Sequence, residues 1–221
     1  MLTLAIDTST PAVTVGVADL GETVTMRATR AHVDARAHAE QLTPLIAAAL
    51  AEADATPADL GAIVAGLGPG PFTGLRVGLS TAAAMGHALD IPTYGVCSLD
   101  GIGAAVTTAT GPFLVATDAR RKEVYWALYA QDGQRVDGPS VDKPADLASK
   151  TAPGTGALGA GAHQYADILG LDLIDGPQHP DPAALLRLAA ERVRDGAPTE
   201  QLTPLYLRRP DVHVNGQRTR A

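Results

Sequence analysis

The sequence predicts an α/β protein built from two copies of one βββαβα unit, and three observations predict it. Short apolar runs alternate with stretches of helical period, the mark of strands and helices stacked in layers. The run Phe113-Leu114-Val115-Ala116-Thr117-Asp118 mirrors Leu2-Thr3-Leu4-Ala5-Ile6-Asp7, so each half opens on an apolar strand that closes on an aspartate. A second strand and a turn glycine follow at nearly matching intervals, reaching Gly21 in the first half and Gly133 in the second. Two such units would face one another across a cleft.

Taken in order, residues 2–7, 13–18 and 23–28 read as a meander of strands, separated by the turn residues Ser9-Thr10-Pro11 and Asp19-Leu20-Gly21. Over residues 39–53 the positions Leu42, Leu45, Ile46, Ala49, Leu50 and Ala53 keep the spacing of an amphipathic helix, with Pro44 in its first turn or at a kink. Ala62-Ile63-Val64-Ala65 is a short buried strand. It leads into the corner Gly66-Leu67-Gly68-Pro69-Gly70-Pro71-Phe72-Thr73-Gly74, which prolines stiffen and glycines narrow, and then into a helix over 75–89. A strand at 93–97 and a helix over 98–108 complete the first unit. The second repeats a strand at 113–118, adds one at 123–130, and carries an amphipathic helix over 181–194 through Leu185, Leu188, Ala189 and Arg192. The lobes are expected at 1–109 and 110–209, with a disordered polar tail at 210–221 that holds Arg218 and Arg220.

At 221 residues, 46% apolar and 19% charged, the chain is long enough to bury a real core. It has no uninterrupted apolar stretch of about 18 residues, so membrane spanning is not expected. Cys97 is the single cysteine, which rules out an internal disulfide, and residues 1–7 lack the basic start of a signal peptide; both point to the cytoplasm. Seventeen basic against 24 acidic residues leave a formal charge of −7, a poor balance for gripping nucleic acid unaided. A partner would do most of that holding.

Three segments in this order, Ile6-Asp7-Thr8-Ser9-Thr10, the glycine corner, and Asp118-Ala119-Arg120 with Glu123-Val124-Tyr125-Trp126, resemble the TsaB (YeaZ) family. The late Pro204-Leu205-Tyr206-Leu207-Arg208 fits as well, and the corner is the specific part. One departure stands inside it: Pro71 occupies a position where the family usually has serine. The resemblance implies a two-lobed actin-like fold of the acetate kinase, Hsp70 and sugar kinase class. It also implies a non-catalytic subunit in the making of tRNA threonylcarbamoyladenosine. The expected partners are the larger paralogue TsaD in a heterodimer and a TsaE-like ATPase, with a homodimer when alone and tRNA reached mainly through the complex. No cofactor is required of this chain, and ATP or ADP is placed, if anywhere, at the junction of the complex.

The site residues divide into three groups. Asp7 and Asp118 end the first strand of each unit and could position a magnesium nucleotide, as they do in active members of the fold, or merely cap turns. Ser9-Thr10-Pro11 crowds the loop after Asp7, and Ala119-Arg120-Arg121 the loop after Asp118, where glycines would let backbone N–H groups reach phosphate, so Asp7, Thr8, Ser9 and Asp118 stand as vestigial nucleotide or junction contacts. An inter-lobe ATPase or kinase is therefore the rival reading. Arg76 falls in the first turn of the second helix if Thr73 is its N-cap, so it calls for an anion: a salt bridge within the fold, an acid of a partner, or a phosphate at the junction.

The interface group is Leu42, Leu45, Ile46 and Ala49 on the first helix, with Met85 and the small-residue stripe Gly74, Gly78, Ala82 and Gly86 on the second, a stripe that serves equally for close packing against the chain's own core. Two such helices from each subunit would make a contact of about 1,600 Å². Catalytic residues and metal ligands are not expected in this chain. The paralogue is expected to hold a metal with two histidines where this sequence has Ser98 and Ile102, and isoleucine cannot ligate one. None of the six histidines pairs at ligand spacing, Cys97 has no evident base, and no Gly-x-Ser-x-Gly elbow supports a peptidase.

Overall fold

The computed structural model describes residues 1–208, and the expected tail at 210–221 lies outside them. The apolar run Leu2–Asp7 forms β1, which pairs antiparallel with β2 (Ala12–Leu20) and parallel with β4 (Ala62–Gly66). β3 (Val24–Val33) closes one edge beside β2 and β5 (Thr93–Val96) the other, in the order β3-β2-β1-β4-β5. The second half repeats that order. β6 (Phe113–Asp118) is central, flanked by β7 (Val124–Tyr129) and β8 (Arg135–Asp142) on one side and by β9 (Gly156–Leu158) and β10 (Asp172–Leu173) on the other. The duplication expected from the two aspartate-ended strands is thus real at the level of topology.

Alternation along β1 sorts the core. Leu2, Leu4 and Ile6 face one way, into a cluster with Leu42, Ile46 and Leu50 of α1 (His38–Glu52) and Leu75, Leu79 and Ala82 of α2 (Phe72–Leu89). Ala5 points the other way, into a cluster with Val64, Tyr94, Leu185, Leu186 and Val193. The last three lie on α7 (Pro182–Arg194), so the final helix of the second unit covers the sheet of the first. Its counterpart α3 (Ser98–Gly103) does the converse, sending Leu99 and Ile102 into the second sheet beside Phe113, Val115 and Tyr129. The far face of that sheet is closed by α4 (Pro144–Lys150), α5 (Ala160–Gln164) and α6 (Ala166–Leu169) through Leu147, Ala162 and Leu169.

This exchange corrects the expected division at 109/110. The stretch from 181 onward belongs with the first sheet: Tyr94 donates its hydroxyl to the Ala197 carbonyl, and Gly95 donates its N–H to the Glu200 carboxylate. The chain then crosses back. Leu205 donates to the Leu67 carbonyl, and Arg208 donates to the Ala119 carbonyl and ion-pairs with Glu123, so residues 199–208 form a strap across both halves.

Two further differences have local causes. β3 runs five residues past the expected end at 28, because its edge position exposes alternate side chains and Arg27, Thr29, Arg30 and His32 hide its period. The helix expected over 98–108 stops at Gly103, where Gly101 and Gly103 are pressed against Leu185 and Tyr129 rather than filled by side chains.

Candidate functional site

The glycine corner closes on the chain's own first turn. A Cβ at Gly70 would strike the Ser9 carbonyl, and one at Gly66 would strike the Asp7 carboxylate. Thr8 completes the junction. Its hydroxyl donates to the Gly74 carbonyl at 2.8 Å and accepts the Gly78 N–H at 3.0 Å, which pins the β1–β2 turn to the first turns of α2.

Asp7 is sealed inside this joint at 1% exposure. One carboxylate oxygen accepts the Ser9 N–H at 2.8 Å and the Ser9 hydroxyl at 2.7 Å; the other accepts the Ser98 hydroxyl, which in turn accepts the Gly68 N–H at 2.9 Å. Burial pushes the carboxyl above its ordinary range, against the bonds from Ser98 and Ser9 and the nearby His38, which act the other way. His38 is itself buried, its Nε2 2.7 Å from the Thr10 carbonyl. Of the expected junction contacts, Asp7, Thr8 and Ser9 are therefore committed internally. Asp7 is not placed to hold a magnesium nucleotide between strand-ending aspartates: it is buried with both oxygens hydrogen-bonded inside the joint, and Gly70 packs against the Ser9 carbonyl over the β1–β2 turn. Among the described residues no three His, Cys, Asp or Glu side chains converge to hold a metal.

Asp118 is half-buried and accepts the Arg120 N–H at 2.9 Å, a turn within its own loop. Among the described residues Arg76 forms no salt bridge within the fold. Helix α2 begins at Phe72 with Pro71 as its N-cap, which puts Arg76 beyond the first turn. Its guanidinium lies 3.8 Å over the Phe72 ring, and its Nε donates to the Tyr206 hydroxyl at 3.0 Å. An aromatic ring and a phenol stand where a salt bridge was expected, because the strap brings Tyr206 against the helix.

The interface group requires a larger correction. Leu42, Ile46 and Ala49 are 1%, 6% and 0% exposed in the first core cluster, while Leu45 and Met85 are partly buried against it. The small-residue stripe also faces inward: Gly78 meets Thr8, Gly86 meets Thr93, Gly74 lies beside the Thr8 carbonyl and His38, and Ala82 is fully buried. It is the groove through which α2 approaches its own sheet. The outward faces present other residues, among them Thr43, Ala47 and Ala51 in the middle of α1 and Ser80, Ala84 and Ala88 on α2, with Glu40 and Glu52 exposed towards the ends of α1 and Arg76 and His87 towards those of α2. Beside them Ile46, Leu50, Thr81 and Met85 line an apolar groove of about 420 Å³.

At the base of the cleft, Asp100 accepts the Tyr129 hydroxyl at 2.8 Å and pairs with Arg135 at 3.0 Å, joining α3 to the second sheet. Burial and the neighbouring Asp100 push the Cys97 thiol up to about 11, which leaves it protonated and unreactive near neutrality. Ser98 serves Asp7, and Ile102 is fully buried in the second core. At the mouth Phe72, Tyr206, Arg120 and Arg208 converge from three distant segments, a meeting that the sequence does not show although it marks Arg120 as crowding its loop. The Tyr206-Leu207-Arg208 run was the available signal.

Comparison with known proteins agrees with this architecture. The family model described as TsaD, tRNA N6-adenosine threonylcarbamoyltransferase, matches residues 31–210. An uncharacterized protein of Mycobacterium tuberculosis is 53% identical over 209 residues, covering 95% of this chain and 92% of its own length. The tRNA threonylcarbamoyladenosine biosynthesis protein TsaB of Escherichia coli is 29% identical over 225 residues, covering 94% and 95%. YeaZ from Pseudomonas aeruginosa superposes with a TM-score of 0.76 at 29% identity, over 93% of this chain and 99% of its own. With two like-ordered sheets facing across a cleft, the helices exchanged between them and this set of relatives, the chain belongs to the TsaD family, in its TsaB (YeaZ) branch of tRNA threonylcarbamoyladenosine biosynthesis proteins with the two-lobed actin-like fold.

Proposed function

We propose that the chain is a non-catalytic assembly subunit of tRNA N6-threonylcarbamoyladenosine synthesis, which docks a TsaD-like transferase on the outer faces of α1 and α2. The observation that carries this reading is the chemistry of those faces. Surface helices of soluble proteins usually turn charge to the water, yet here Thr43, Ala47, Ala51, Ser80, Ala84 and Ala88 leave the middle of two adjacent helices small and uncharged outside, beside an apolar groove, with the exposed Glu40, Glu52, Arg76 and His87 towards the helix ends. Small residues let another pair of helices approach closely and bury the groove. The same faces serve a homodimer when the transferase is absent, so the two assemblies compete. A TsaE-like ATPase joins the heterodimer, tRNA is reached mainly through the complex, and ATP or ADP belongs to the junction rather than to this chain's cleft.

A subunit without its own chemistry is supported by the internal commitment of Asp7, the opposite of what an ATPase or kinase of this fold needs. The experiment is co-elution of the purified chain with its TsaD-like paralogue on a sizing column. Ala84→Arg is expected to leave the melting temperature unchanged and to abolish the shared peak; a complex that survives this substitution, or metal-dependent ATP turnover by the chain alone, overturns the reading.

A further inference from the structure

On the side of α2 away from α1, where the helix faces the strap, lies a cavity of about 480 Å³. That volume is within the span of ligand sites, about 300–1,000 Å³. Ala83 and His87 of the last helical turns, Asp90 at the helix end, Ile91, and the strap residues Glu200 and Leu202 line it. The strap wall is firmly built. Thr93 donates its N–H to the Thr199 hydroxyl at 3.0 Å, and Glu200 donates its own N–H to the Thr93 carbonyl at 2.8 Å. The Glu200 carboxylate is already taken, by the Gly95 N–H at 2.9 Å and by Arg192 at 2.6 Å.

Asp90 is not. It ends α2 in the left-handed region at φ 54°, exposed, and among the described residues it forms no ion pair. A helix stop alone does not explain an aspartate there. Glycine takes the left-handed turn at less cost, and the carbonyl end of a helix is already negative, so a carboxylate beside it is repelled. α1 makes the same choice with Asp54 at φ 49°. α1 joins β3 to β4 and α2 joins β4 to β5, strands that all run the same way, so both helices end at one edge of the docking face and leave unpaired acid there.

Ile91 and Leu202 offer an apolar wall and Asp90 a charge. A long cationic side chain satisfies both, laying its methylenes on the one and its head on the other. We propose that this cavity receives a lysine or arginine side chain of the subunit docked on α2, with its charge at Asp90. Ala83 links the two surfaces, since it lines the cavity and adjoins Ala84 on the docking face. The inference rests on the assembly reading and adds to it the charge that the partner brings and the side of α2 that it wraps.

The test is the affinity of the full chain for its TsaD-like paralogue, by surface plasmon resonance at low and at high salt. Asp90→Asn, which keeps a residue suited to the left-handed turn, is expected to weaken the complex about threefold at low salt, the scale of one exposed ion pair, and by less at high salt. Its melting temperature should not fall, whereas a purely capping role would lower the melting temperature and leave the affinity alone. Ala83→Lys puts a competing cation in the cavity and Ala83→Glu a further acid of similar bulk; the lysine variant should bind about tenfold more weakly than the glutamate variant. Full affinity in Asp90→Asn, or equal affinity of the two Ala83 variants, overturns the proposal while the wild-type complex keeps the assembly reading intact; a wild type that does not bind the paralogue overturns both. Cadaverine, a free diamine, titrated into the isolated chain by calorimetry, is expected not to saturate. Saturation that Asp90→Asn abolishes would assign the cavity to a free amine and overturn the proposal as well.

Discussion

A carboxyl sealed from water makes the folded state sensitive to pH, and Asp7 is such a group. Its pKa in the fold stands above the ordinary 3.8, with burial as the main cause. The sign follows from linkage: stabilisation from this group is fully present below its unfolded value and is lost as pH rises through the folded one. Asp7→Asn removes the charge, so the variant is expected to lack the fall in urea midpoint that the wild type shows as pH rises from 3.8 through the raised value. Parallel midpoint curves for the two proteins would contradict this. The second strained place is the β6–β7 turn, where Arg120, Arg121 and Lys122 have φ of 61°, 55° and 61°. Left-handed backbone costs a side-chain-bearing residue about 1–2 kcal/mol. Lys122→Gly should therefore raise the unfolding free energy by about 1 kcal/mol, the relief being partly offset by a looser unfolded chain. A urea midpoint at or below that of the wild type would refute it.

At the scale of elements, α2 shows how a periodic pattern fixes a face without fixing what covers it. The spacing of Gly74, Gly78, Ala82 and Gly86 correctly marks a close approach, yet an internal sheet and an external partner ask for the same small residues. The choice was made by Thr8, far off in the chain, whose hydroxyl sits where a Gly78 side chain would go. Gly78→Ala should accordingly cost about 1–3 kcal/mol of stability by overpacking, read from urea unfolding, while the folded fraction still binds the paralogue. A stable Gly78→Ala protein that no longer forms the complex would return the stripe to the interface. In the same way Leu42, Ile46 and Ala49 were legible as an apolar helix face, and what the helix spacing left open was that the sheet consumes it. The outer residues escaped notice because alanine and threonine carry no periodic signal of their own.

At the scale of the whole molecule, the exchange of α3 and α7 makes each half complete the other. Leu185, Leu186 and Val193 are almost wholly buried against the first sheet. Their side chains contribute about 1.5–3 kcal/mol each, against a net stability that for a domain is about 5–15 kcal/mol. A chain ending at residue 180 is therefore expected to lose the first sheet as well, seen as loss of amide protection in β1 and β4 by hydrogen exchange. Protection retained there would mean that the lobes fold separately at the division expected near 109. The sequence by itself determined the α/β class, the duplicated opening strands, the position of nearly every element in the first half and the family likeness, because these reside in local periodicity and in short runs of specific residues. It left the second half less defined, since β8 and β10 are short or polar edge strands with little apolar alternation. Only the tertiary structure decided which half owns α7, which helix faces remain for a partner, that Asp7 serves the fold, and that Phe72, Arg120, Tyr206 and Arg208 meet. Those are facts about contact between residues distant in the chain, and the spacing of neighbours carries no record of them.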